Sequence, residues 1–130
     1  MKNQEAERID AVVDLNALDR IAAKVYKIAA EHGFHEGEVI GKEAATKERI
    51  AIFIANLHSE CSELWESSKR GSLFDECDKN IGVTSAGEEL ADIIIRALDT
   101  AHTLGISISS AVSLKSAYNE TRPYKHGKNC

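Results

Sequence analysis

Proline occurs once in the 130-residue sequence, aromatic residues make up 5% of it, and there are three cysteines. Scarce proline leaves helices with few interruptions, and scarce aromatic residues deprive strands of part of their preferred side-chain set. With much Ala, Ile, Leu and Glu alongside, the composition leans toward an all-helical chain. The cysteines, Cys61, Cys77 and Cys130, are odd in number and share no C-x-x-C spacing. They read as reduced thiols of a cytoplasmic protein rather than as a zinc site or a disulfide framework. No apolar run approaches the roughly 20 residues that cross a bilayer, and Met1 to Arg8 hold no apolar stretch of signal-peptide type. Positive charge is also short, with a net charge of −5 and a pI near 5.5. A broad grip on nucleic acid or on an anionic membrane is therefore not expected, although a local basic group can still hold phosphates.

What remains is 43% apolar and 28% charged, the balance of a soluble globular chain. Its length suits a single domain over residues 1–130 with one core. Apolar periodicity predicts four helices. The first runs from about Asp14 to His32, with Leu15, Leu18, Ile21, Ala22, Val25, Ile28 and Ala29 at helical spacing and Gly33 as a stop. A polar, Gly-bearing connection follows to about Gly41. The second spans about Ala44 to Arg70, with Ile50, Phe53, Ile54, Leu57, Cys61, Leu64 and Trp65 as its apolar stripe. Cys61 reads there as a small core residue. Lys69 and Arg70 suit the helix dipole, and Gly71 ends the helix. The fourteen residues Gly71 to Thr84 form a loop long enough to be functional, and able to close over a ligand. The third helix begins at Ser85, where Ser85-Ala86-Gly87-Glu88 fits a capping box, and runs to Leu104-Gly105. The fourth runs from near Ser107 to about Thr121, and Pro123 forces its end.

Four such helices imply a bundle. Leu90, Ala91, Ile93, Ile94, Ile95, Ala97, Leu98 and Ala101 cover most of the third helix and leave one polar stripe, Glu89, Asp92, Arg96, Thr100 and Thr103. A helix apolar nearly all round is buried on several sides. One short chain can hardly supply that cover, so a homo-oligomer is expected, most simply a twofold dimer.

Two pairs of carboxylates stand at i and i+3, Glu60 with Glu63 and Glu89 with Asp92, each on one face of its helix. Either pair alone is as well explained by a solvent-facing helix. Glu60, however, shares its side with Phe53, Leu57 and Leu64, and the second pair lies in the only polar stripe of the third helix. Packed together, the acids need a cation to offset their repulsion, and hard oxygen ligands select Mg²⁺, with Mn²⁺ as a substitute. A ferritin-like di-iron site is not expected, because neither Glu60 nor Glu89 is followed by His at i+3.

The last helix carries Lys115, Asn119 and Arg122 on one face, followed by Lys125, His126 and Lys128. In an acidic chain this is a local concentration of phosphate-binding groups. Acids that hold Mg²⁺ and bases that hold phosphate are a set for in-line attack of water on phosphorus. No Gly-rich phosphate loop is present.

The order Glu60-x-x-Glu63, twenty-five intervening residues, Glu89-x-x-Asp92 resembles the motif of the all-α nucleoside triphosphate pyrophosphatases, the MazG-like superfamily. The stretch Glu88 to Arg96 is similar to that family's third-helix segment. The ending Lys115-x-x-x-Asn119-x-x-Arg122-Pro-Tyr-Lys-His-Gly127 is similar to the C-terminal segment of its short members. The resemblance covers about residues 47–128. It implies hydrolysis of a (deoxy)nucleoside triphosphate to the monophosphate and pyrophosphate with Mg²⁺, as house-cleaning of non-standard or surplus nucleotides, in a dimer or tetramer. Carried over by position, Glu60, Glu63, Glu89 and Asp92 are the metal ligands, and Lys115, Asn119 and Arg122 contact phosphates.

Glu63 is the expected catalytic carboxylate, although a ligand and a water-orienting group are indistinguishable by spacing. Arg96, one turn past Asp92, either touches a phosphate or offsets the acids. Asn56 shares a face with Glu63 and can reach the nucleotide; Trp65 reads as core or as a stacking platform, and His58 as surface. The N-terminal helix is a candidate wall of the pocket. Two alternatives share these residues: a phosphoribosyl-ATP pyrophosphohydrolase, and a non-catalytic helical oligomer that binds nucleotide or protein.

Overall fold

The computed structural model describes residues 16–127, all-helical, with α1 at Ala17–Glu31, α2 at Lys47–Lys69, α3 at Ser85–Thr103 and α4 at Ile108–Glu120. Short 3₁₀ turns occupy Lys42–Ala44 and Tyr124–Gly127. Asp14, Leu15, Lys128 and Cys130 lie outside the described residues. Among those described, no helix is long and apolar enough to cross a membrane.

Side-chain caps fix where three of these helices start. The hydroxyls of Thr46, Thr84 and Ser107 accept from the backbone N–H groups of Arg49, Gly87 and Ser110 at 3.2, 3.1 and 3.3 Å, filling donors that the first turn leaves open. Two expectations shift as a result. The second helix starts at Lys47, not Ala44, because Ala44 closes the preceding 3₁₀ turn and is fully buried there. The expected capping box at Ser85 is not formed: Thr84 is the cap, and the Glu88 carboxylate turns away to Lys79. Gly71 and Gly105 follow helix ends with φ of +71° and +68°, a region that a side chain would strain.

Helix α3 lies in the middle, with α1 and α2 packed on it, and α4 leans on α1. Glu60 of α2 meets Arg96 of α3, while Glu63 meets Glu89. Later positions of α2 thus face earlier ones of α3, and the two helices are antiparallel. Asp19 ties α4 to the start of α1: its carboxylate accepts from Ser107 Oγ at 2.6 Å and from the Ser109 N–H at 2.9 Å.

The loop between α2 and α3 is folded, not loose. Cys77, 1% exposed, is its anchor, and its N–H donates to Val83 O at 3.0 Å. Ser85 and Ala86 donate back to Asp75 O and Leu73 O at 2.8 and 2.9 Å.

The buried apolar set is small: Ala22, Ala44, Cys77, Leu98 and Ala101. Leu90 and Ile94 of α3 are 49% and 54% exposed, and Ile52, Ile54 and Trp65 of α2 and Val112 and Leu114 of α4 are open too. Cys61, expected in the core, is exposed. Within one chain α3 is therefore covered on the sides that face α1 and α2, and much of its remaining apolar surface is bare.

Candidate metal and nucleotide site

The antiparallel contact of α2 and α3 turns two separate sequence pairs into one cluster. One carboxylate oxygen each from Glu60, Glu63 and Glu89 lies within 4.8 Å of the other two. Glu60 is buried, Glu89 half-buried and Glu63 exposed. Asp92 falls outside that triangle, one turn along α3, but feels the charges of Glu60 and Glu88. The four acids expected as ligands are thus brought to one place, with three close enough to share an ion.

Their electrostatics follow from crowding. Contact with the Glu60 carboxyl is the main cause that lifts the Glu63 carboxyl above the ordinary range; desolvation adds to it, as do the charges of Glu60, Glu89 and Asp92. Burial is the first cause of the upward shifts of Glu89 and Asp92, followed by Glu88, Asp92 and Glu60 for Glu89 and by Glu60 and Glu88 for Asp92. Two cations push back. Arg96 donates from Nε to Glu60 Oε1 at 2.9 Å. Lys79, delivered by the α2–α3 loop, is paired with Glu88, whose carboxylate is buried beside Glu89. That contact holds the Lys79 ammonium charged, above the ordinary lysine range.

A cavity of about 560 Å³ opens beside the cluster, between α1, α2 and α3, and shares Glu60, Asp92 and Arg96 with it. Ile28, Phe34, Phe53 and Ile95 give it apolar walls, and Asn56, His32 and Thr100 add polar groups. Helix α1 walls the cavity as expected, through Val25, Ile28, Ala29 and His32. Asn56 and Arg96 line it too. Trp65 does not: it is 62% exposed on the other side of α2, with Lys69 Nζ 5.9 Å from its ring. None of the α2–α3 loop lines the cavity either, so the loop serves as the mount of Lys79 rather than as a lid over this space.

Another part of the cavity wall holds a buried network that no local pattern marks. His35, 8% exposed, faces Glu38 Oε2 from Nδ1 at 2.9 Å and Asp99 Oδ1 from Nε2 at 2.8 Å. The Tyr26 ring stacks on it at 4.4 Å, and Arg49 reaches Glu38 Oε2 at 2.6 Å. These contacts fasten the 33–41 connection to α2 and α3. His35 and Asp99 are 64 residues apart and match no local motif, and only Asp99's place one turn before Thr103 hinted at a polar face.

The basic end of α4 is not delivered to the acids within one chain. Lys115 Nζ and the Arg122 guanidinium lie 4.7 and 5.9 Å from the Tyr118 ring centre, and among the described residues neither forms an ion pair with the acid cluster. Asn119 is exposed near the end of α4, one turn after Lys115, and Arg122 follows just past the helix end. The basic set and the acid set are therefore each assembled, but apart. Comparison of the chain with family models, with curated proteins and with solved structures returned no match.

Proposed function

We propose that this chain is a Mg²⁺-dependent nucleoside triphosphate pyrophosphohydrolase of MazG-like type, which converts a (d)NTP and water to the (d)NMP and pyrophosphate. One observation carries the reading: an all-oxygen acid triangle stands beside an apolar cavity large enough for a nucleoside, and Glu60 of the triangle and the neighbouring Asp92 line that cavity. The sequence resemblance, which rests on the same carboxylates together with the ending Lys115 to Gly127, points the same way.

The donor set fits the metal. Glu60, Glu63 and Glu89 offer only carboxylate oxygens, close together and otherwise repelling, which suits a hard divalent cation and not a soft one. Asp92 stands ready one turn away as a fourth ligand. Bound there, Mg²⁺ would neutralise polyphosphate charge and make water more acidic. The chain's own residues do the rest. Phe34 and Phe53 offer flat apolar walls to a base, and the Asn56 amide can both donate to it and accept from it. Glu63, the exposed member of the triangle, has its proton affinity raised by Glu60 and is the carboxylate suited to take the proton of the attacking water. Attack on the α-phosphorus then expels pyrophosphate.

The phosphates require Lys115, Asn119 and Arg122, which a single chain keeps apart from the acids. A homo-oligomer resolves this, since a second copy can bring its α4 to the cluster. It also accounts for the bare apolar surface. Each half-exposed Ile or Leu forgoes about 1 kcal/mol of burial, and six such side chains on α2, α3 and α4 forgo about as much as the net stability of a marginal domain.

The test is pyrophosphate release from a panel of ribo- and deoxynucleoside triphosphates, with Mg²⁺ and with chelator. Metal-dependent release is expected, together with a loss of about 100-fold or more for Glu63→Gln at unchanged oligomer size. Full activity in that variant would refute the site.

A further inference from the structure

Arg96 occupies the border between the acid cluster and the cavity. Its Nε is bonded to Glu60, while the side chain as a whole is 44% exposed and lines the cavity. The opposite partner, Glu60, is 7% exposed and belongs to the oxygen triangle. We infer that Arg96 is an exchangeable counter-ion: it holds Glu60 while the acid cluster lacks metal, and passes to the phosphate chain of the substrate when metal takes Glu60 over. The inference rests on the reading of the cluster as a metal site.

Three features carry it. The guanidinium has five N–H donors in a fork, and the one bond to Glu60 uses only Nε. Among the described residues the terminal nitrogens donate no hydrogen bond, and a fork of this kind matches phosphate oxygens. The position also suits contact with a ligand, because Arg96 lines the cavity together with Phe34, Phe53, Glu60 and Asp92. The other cation near the acids, Lys79, differs. Lys79 pairs with Glu88, which is not in the triangle, and does not line the cavity. Lys79 is thus a fixed tie between loop and helix, and Arg96 the exchangeable one.

The consequence is a pair of effects of opposite sign. A competing cation weakens the bare metal, so its removal strengthens metal binding. A phosphate ligand strengthens the polyphosphate, so its removal weakens that binding. A merely structural role gives the same sign for both.

The test uses the full chain, with Mn²⁺ alone as the first probe and inorganic tripolyphosphate, at saturating Mg²⁺, as the second. Free Mn²⁺ is read by electron paramagnetic resonance and tripolyphosphate binding by calorimetry. Arg96→Met is expected to bind Mn²⁺ roughly tenfold more tightly than the wild type and tripolyphosphate roughly tenfold more weakly, the size of one charge-assisted contact. Arg96→Gln keeps an amide donor for the buried Glu60 and serves if the methionine variant does not fold; it is expected to move both affinities in the same directions. Unchanged or weaker Mn²⁺ binding in a folded variant overturns the counter-ion role, and unchanged tripolyphosphate binding overturns the exchange. Glu60→Gln separates this from the reading beneath it. If the wild type and Glu60→Gln take up Mn²⁺ equally poorly, the metal site itself is wrong and the inference falls with it.

Discussion

Replacing Glu89 by Gln should stabilise the metal-free protein while abolishing its response to metal. The side chains are nearly isosteric, so the change is one of charge. Glu89 faces Glu60 and Glu63 with oxygens within 4.8 Å. One like-charge pair at that distance costs between about 0.9 kcal/mol in a water-like medium and about 3.5 kcal/mol at an effective dielectric constant of 20. Glu89 takes part in two such pairs, and solvent at the exposed Glu63 screens one of them. A net gain of about 1–3 kcal/mol is the expectation, or a rise in melting temperature of very roughly 5–12 °C for a domain of this size. The assay is thermal unfolding followed by circular dichroism at one fixed protein concentration, since an oligomer's melting point depends on concentration. Each protein is run with chelator and with Mg²⁺. The wild type should melt higher with Mg²⁺, and Glu89→Gln should melt high in both conditions. The same reasoning sets the pH dependence. Glu63, Glu89 and Asp92 hold their protons more tightly folded than unfolded. The metal-free fold therefore gains stability as pH falls through their raised range toward the ordinary carboxylate range, and Mg²⁺ should cancel that gain. A Glu89→Gln variant less stable than the wild type in chelator, with no Mg²⁺ effect on the wild type, would refute the account of the cluster.

Other elements give predictions of different sign. His35→Ala removes the donor between Glu38 and Asp99 and leaves two carboxylates facing each other, so urea unfolding should show a loss of about 2–3 kcal/mol. Asp19→Asn should loosen α4 from α1, read as faster amide hydrogen exchange in residues 108–120 with little change in α2. The Ser107 hydroxyl and the Ser109 N–H hold the Asp19 carboxyl below its ordinary value. Its contribution is therefore complete above the ordinary carboxylate range and is lost as pH falls through the depressed value, the reverse of the acid cluster. Thr103 is fully buried, with a hydroxyl that has no hydrogen-bond partner. Thr103→Val should consequently stabilise the protein by about 1 kcal/mol, and a clear loss would mean that the hydroxyl is satisfied in solution.

Helical content was legible because it is written at short range. The spacing of Ile21, Val25 and Ile28, or of Ile50, Phe53 and Leu57, needs no partner to be recognised. Ends were legible where the chain has one residue type suited to them, as at Gly71 and Pro123. The start of α3 was not, because Ser85 and Thr84 are both good caps and the choice turns on where Glu88 finds a cation. That cation, Lys79, comes from a loop whose path depends on burying Cys77. Cys61 and Trp65 misled for a related reason. Both lie on an apolar stripe, and a stripe shows which side of a helix seeks cover without showing that the same chain provides it.

The sequence by itself determined the all-helical class, the approximate helices and the two carboxylate pairs, since each is a matter of residue type at fixed local spacing. Tertiary structure alone decided that α2 and α3 run antiparallel in the register that brings Glu60, Glu63 and Glu89 together. It alone placed Arg96 on Glu60 and joined His35 to Asp99 across 64 residues. It also separated the basic end of α4 from the acids, through the contacts of α4 with α1. Periodicity fixes which face of a helix is apolar. Which faces meet, and which charges are thereby forced into contact, depends on packing between segments far apart in the chain, and no local pattern records it.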